Sequence, residues 1–151
     1  MPGRNGHKVL AVVMHIGEGY RAGFHKQFTA GGLSAHYVVY RDGSIEQWVR
    51  EEDAAWHAGE VYKPAWAFYE PGVNPNLTTI GIEHEGFTGE PWTEEMIQAD
   101  LFLLRGIAER HGLVYSVNTL IGHHQLDSVN RRNCPGWGCP WERLFDELTP
   151  V

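Results

Sequence analysis

Val9-Leu10-Ala11-Val12-Val13-Met14 is an unbroken apolar run of strand length, closed by His15 and broken off at Gly17 and Gly19. A run without polar alternation marks a strand covered on both faces, as in a sheet flanked by helices. It falls far short of the roughly 20 apolar residues that cross a bilayer, so no membrane insertion is expected. The segments around it alternate in type. Tyr20 to Phe28 predicts a short helix stopped by Ala30-Gly31-Gly32. His36 to Tyr40 and Ile45 to Val49 predict a hairpin, because Asp42-Gly43 supplies the positive φ of a tight turn. Ile80 to His84 and Leu120 to Gly122 predict further strands. Thr93 caps a predicted helix with Glu94 and Glu95 in its first turn. Met96, Ile97, Leu101, Leu104, Ile107 and Ala108 line that helix's buried face, and Gly112 ends it. Trp141, Leu144, Phe145 and Leu148 recur at i, i+3, i+4 and i+7, predicting a closing helix. The stretch 58–79, with three prolines, reads as a long surface excursion of the kind that usually carries function. Strands and helices around one core give a mixed α/β fold, a single domain over 1–151 with a central β-sheet flanked by helices.

Twelve Lys+Arg against 19 Asp+Glu in 151 residues leave a net charge of -7, so the basic surface needed to hold nucleic acid is absent. No secretory h-region follows the charged first residues, so no signal peptide is expected. Two cysteines, Cys134 and Cys139, cannot build a disulfide framework; two reduced thiols are expected, with a local bridge as the alternative. Nine histidines in so short a chain are the unusual feature. His15 and His123 each follow a predicted buried strand, and Cys134 comes eleven residues after His123. Residues past the ends of neighbouring strands converge on one edge of a sheet, where three N or S ligands and an open position make a catalytic zinc site. Spacing alone does not select these three.

Five blocks in order narrow the choice: VVMHIGEG (12–19), SAHYVVYRDGSIEQWV (34–49), DAAWHAG (53–59), TIGIEHEG (79–86) and IGHHQLDSVNRRNCPG (121–136). Together they resemble the zinc-dependent type 2 N-acetylmuramoyl-L-alanine amidases, which share a fold with peptidoglycan recognition proteins, and the likeness runs from about Val9 to Leu148. The resemblance implies Zn2+ held by His15, His123 and Cys134, at one edge of the sheet in a substrate groove. Cys134 stands where many members carry Asp and others Cys, and His124 competes with His123 for the second position. Cys139 lies beyond the ligand position and reads as a small packed hydrophobe. The family's general base falls on Glu83, which alternates away from Ile80 and Ile82, with Glu85 as its neighbour. The tyrosine that other branches use is Ala35 here. The family lysine that steadies the oxyanion is replaced by Arg132, beside Arg131. Trp56 and His57 are implied to line the substrate groove, and His36 is grouped with them but reads mainly as a buried hydrogen-bonding residue that frames the site, while Trp66, Tyr69 and Trp137 are groove floor or, more simply, core.

The resemblance further implies peptidoglycan as the partner and cleavage of the amide between the muramic lactyl group and L-alanine. With no leader and no separate wall-binding domain read in the sequence, a phage endolysin is expected. It would be a monomer made in the host cytoplasm and released with a holin-type partner. The alternatives are a cytoplasmic amidase recycling anhydromuramyl peptides and a non-catalytic peptidoglycan-binding module.

Overall fold

A computed structural model describes residues 1–150. Five strands, β1 (Ala11–Ile16), β2 (Tyr37–Val39), β3 (Ile45–Gln47), β4 (Thr79–His84) and β5 (Leu120–Gly122), form one sheet in the order β3-β2-β4-β1-β5. β2, β4, β1 and β5 run parallel; only β3, the hairpin partner of β2, is antiparallel. Parallel strands need crossovers, and α1 (Arg21–Ala30), between β1 and β2, and α2 (Glu94–His111), between β4 and β5, supply two of them, with α3 (Trp141–Leu148) closing the chain. All six residues of β1 are buried, as its unbroken apolar run requires.

Strand parity sorts the side chains into two layers. Val12 and Met14 of β1 and Ile80 and Ile82 of β4 share an apolar cluster with Met96, Leu101, Leu104 and Ile107 of α2, joined by Leu144 of α3 and by Cys139. Each such side chain contributes roughly 1.5–3 kcal/mol relative to exposure. The opposite face carries Ala11 and Val13, packed with Trp66, Ile121 and Leu126. His15, Gly81 and Glu83 belong to this second face by parity, whereas His84 belongs to the α2 face.

α2 begins and ends where its sequence signals lie. Thr93 Oγ1 accepts from the Met96 amide, and Gly112 takes the left-handed conformation (φ 66°) that stops the helix. α1 starts one residue later than expected and runs on to Ala30, because Tyr20 already has extended backbone and Gly31 is the first residue with positive φ. The 58–79 excursion holds one 3-10 turn, Pro75–Leu77, and runs into β4 at Thr79, and it is anchored: Trp66 is buried and its indole N–H donates to Asn118 O at 2.9 Å. No helix among the described residues is long and apolar enough to cross a membrane.

Candidate metal centre

The carboxyl ends of β1, β4 and β5 open into a groove of about 980 Å3 on the face opposite α2. His15 is the fifth residue of β1, and Glu83 lies beside it on β4 in register. His123 is the first residue after β5. Cys134 is brought to them by the turn 127–134. Asp127 builds that turn, its carboxylate accepting from the amides of Val129 (3.1 Å) and Asn130 (2.8 Å). The Nδ1 or Nε2 and Sγ donor atoms of His15, His123 and Cys134 all lie within 4.8 Å of one another.

Hydrogen-bond partners assign the ring protons. His123 Nε2 lies 2.8 Å from Ala58 O, an atom that only accepts, so Nε2 carries the proton. Thr79 Oγ1 donates to Pro75 O at 2.7 Å and therefore accepts from His57 Nε2 at 3.1 Å. His57 Nδ1 is then bare and accepts from His15 Nε2 at 3.0 Å. Burial, followed by the neighbouring imidazoles, holds His15 and His57 well below the usual histidine range, and burial also lowers His123. All three rings are therefore neutral. The outcome is two bare Nδ1 atoms, of His15 and His123, facing each other 3.1 Å apart with no proton between them. Such a pair of lone pairs is satisfied by a cation. Burial, then the Glu83 charge, pushes the Cys134 thiol up to about 12, so this sulfur becomes an anionic donor only when a metal displaces its proton. Two neutral imidazoles and one thiolate suit zinc.

The residues around the donors divide by role. His124 is not a fourth candidate: its amide (3.1 Å) and Nδ1 (3.0 Å) both donate to Cys134 O, tying down the ligand turn. Its ring folds back over Gly122, where a Cβ would lie 2.4 Å from it. His57 borders the groove, as the resemblance implies, with Nδ1 meeting His15 and Nε2 meeting Thr79 Oγ1. Its ring occupies the space above Gly81, where a Cβ would come within 2.3 Å, and this explains the glycine of the TIGIEH block. His36 does not reach the groove. It is fully buried; Gly81 N donates to its Nδ1 at 3.0 Å, and its Nε2 donates to Asp53 O at 2.9 Å. Its grouping with the substrate-binding residues is thus corrected and its scaffold reading kept, because Nδ1 is taken by the Gly81 amide and Nε2 is enclosed by Asp53 O and by Arg4 Nη2 at 3.0 Å. Trp56 is 47% exposed on the groove wall, where a ring face is free to stack. Trp66 and Tyr69 pack into the core behind Val13. Trp137 is neither core nor floor of the main groove: it is 78% exposed beside a smaller neighbouring cavity.

Glu83 projects into the groove with one carboxylate oxygen, Oε2, shielded and without a partner. Burial pushes its pKa up to about 7, against the opposing pull of His84 and Arg131. Both Arg131 and Arg132 line the groove, and Arg132 also lines the smaller cavity next to it. The Arg131 charge is among the causes that lower His15, Glu83, His123 and Cys134. The resemblance puts the family lysine's role on Arg132, and both arginines border the groove.

A family model described as N-acetylmuramoyl-L-alanine amidase matches residues 5–137. The chain is 32% identical to N-acetylmuramoyl-L-alanine amidase A of Achromobacter lyticus, across 90% of the chain and 81% of that protein. It is 30% identical to the 1,6-anhydro-N-acetylmuramyl-L-alanine amidase AmpD of Citrobacter freundii, across 78% of the chain but only 58% of the relative. In three dimensions it superposes with a TM-score of 0.79 on AmpDh3 of Pseudomonas aeruginosa, a structure in complex with an anhydromuramic pentapeptide. The two are 28% identical, and the match covers 100% of this chain and 62% of that one.

Proposed function

The chain belongs to the N-acetylmuramoyl-L-alanine amidase family, and from that premise we propose that it hydrolyses the amide between the muramic lactyl group and L-alanine of peptidoglycan, using zinc held by His15, His123 and Cys134. The observation that carries the reading is the pair of Nδ1 atoms meeting 3.1 Å apart beside a thiol at the base of an open groove. A complete donor set speaks against a non-catalytic binding module. When bound, zinc supplies Lewis acidity and lowers the pKa of water toward 7.

The chain's own side chains do the rest. Glu83 takes the proton of the attacking water and returns one to the leaving alanine amine; a carboxyl poised near neutrality suits both transfers. His57 and the Ala58 carbonyl hold the two imidazoles in the tautomers that leave Nδ1 free. Trp56 offers an apolar face to the sugar or stem peptide. Arg132, in the place of the family lysine and with Arg131 beside it, steadies the charge that develops on the scissile carbonyl oxygen. Arg132→Ala is expected to lower kcat about 10²–10³-fold, as loss of an oxyanion donor does. Arg131→Ala is expected to cost less, and steady-state kinetics giving the reverse order would move the role to Arg131.

Mass spectrometry of digested sacculi tests the activity: a new alanine amino terminus is expected, and new reducing sugars would overturn the assignment. Chelation is expected to abolish the cleavage. Within this activity the main reading is lysis, with the enzyme made in a host cell and released to the wall by a holin-type partner. Recycling is the second reading, favoured by the AmpD relative named for 1,6-anhydro substrates. Faster turnover on intact sacculi than on soluble anhydromuropeptides supports lysis, and the opposite ratio supports recycling.

A further inference from the structure

Behind the metal centre, on the α2 face of the sheet, lies a polar group that the proposed chemistry does not use. His84 and Asp100 are both fully buried. His84 Nδ1 lies 2.7 Å from His15 O, and His84 Nε2 lies 2.8 Å from Asp100 Oδ1. The imidazole is stacked on Trp92 at 4.0 Å between ring centroids. The carbonyl only accepts, so Nδ1 donates to it, and one further proton lies in the bond between Nε2 and the carboxyl group. The carboxyl therefore fixes both the orientation and the tautomer of the ring that grips His15.

This arrangement is costly where it stands. Asp100 Oδ2 and Trp92 Nε1 are buried without partners, beside a predominantly aliphatic cluster. Replacing a buried polar pair by apolar side chains of similar volume is often neutral or stabilising, so stability alone gives no reason for it. Its location does. His84 sits at the last step of the β1–β4 ladder, beside Ile16, where its own carbonyl also accepts from the Gly17 amide at 3.0 Å before the chain leaves the sheet. The strand end that carries a ligand is thereby clasped from the core side.

We propose that Asp100 and His84 form a positioning relay that fixes the main chain of His15 and so aims its Nδ1 at the metal. The inference rests on the metal centre proposed above. His15 is consequently held twice: its ring by His57 from the groove side, and its carbonyl by His84 from the α2 side.

The test compares zinc affinity, by competition with a chromophoric chelator, with the thermal midpoint of the metal-free protein and the absorption spectrum of the cobalt-substituted protein. His84→Phe/Asp100→Ala keeps the stack on Trp92 and nearly the same volume while removing both polar groups. It is expected to melt at or above the wild-type midpoint without metal, to bind zinc about 10–100-fold more weakly, and to shift the cobalt bands. Unchanged zinc affinity with an unchanged cobalt spectrum would overturn the relay. Two single variants decide independently of how that double variant folds. Asp100→Asn can still donate to a bare Nε2 and should retain wild-type affinity, whereas Asp100→Ala should lose about tenfold; equal affinities for the two would also overturn it. A wild-type protein that binds no zinc would instead refute the metal centre itself.

Discussion

Cys134→Ser is expected to abolish stoichiometric zinc binding and wall hydrolysis together. The thiol stands within 4.8 Å of the two imidazole donors and is the only one of the three groups able to bring a negative charge. A serine hydroxyl stays protonated in that setting, so the remaining ligands are two neutral rings. Loss of the Lewis acid removes several kcal/mol of stabilisation of the transition state, which corresponds to at least ~10³-fold in rate. Metal content by atomic emission and release of alanine amino termini from sacculi should fall in parallel. Cys134→Asp restores an anionic ligand and should recover part of both. Retention of zinc and turnover by Cys134→Ser would show that the third ligand lies elsewhere.

Glu83→Ala separates chemistry from metal binding. Zinc content is expected to stay at the wild-type level while kcat drops about 10²–10⁴-fold, the range for loss of a general acid–base group. Activity near wild type would place the base on another residue. Glu83→Gln adds a thermodynamic readout. Burial raises the Glu83 pKa to about 7 from 4.5, so the folded protein binds this proton more tightly than the unfolded chain does. The stability linked to it is complete below the unfolded value and is lost as pH rises through about 7. Metal-free Glu83→Gln should therefore melt above the metal-free wild type at pH 8, with the difference vanishing near pH 4. A catalytic carboxyl that costs stability at working pH is an expected feature of an active site.

Some of this was legible in local sequence because the physics is local. The bounds of α2 follow from the Thr93 cap and the left-handed Gly112, each satisfied within one helical turn. The burial of β1 follows from its unbroken apolar run, and the side of the sheet that Glu83 faces follows from strand parity. What the side chains do once they are there depends on partners distant in sequence. His57 reaches His15 across 42 residues, and His123 reaches the Ala58 carbonyl across 65. No window of sequence shows that His36 is enclosed by the Gly81 amide, Asp53 O and Arg4 while His57, two strands away in chain order, meets His15. His84 did leave a trace: a histidine at the core parity of β4, in line with Ile80 and Ile82, needs a buried partner. Asp100, at a buried position of α2, is that partner. Trp137 left none, and its exposure reverses what aromatic composition suggests.

By itself the sequence determined the alternation of strands and helices, the continuous burial of the central strand, and the set of ligand-type residues standing at strand ends. These depend on periodicity, capping and turn chemistry, which act over a few residues. Only the tertiary structure decided which of nine histidines meet at the centre, which pack behind them, and which charges reach them. A tautomer is set by the partner on the opposite ring nitrogen, and a charge acts by distance through space. Neither is a property of the chain until the sheet has formed.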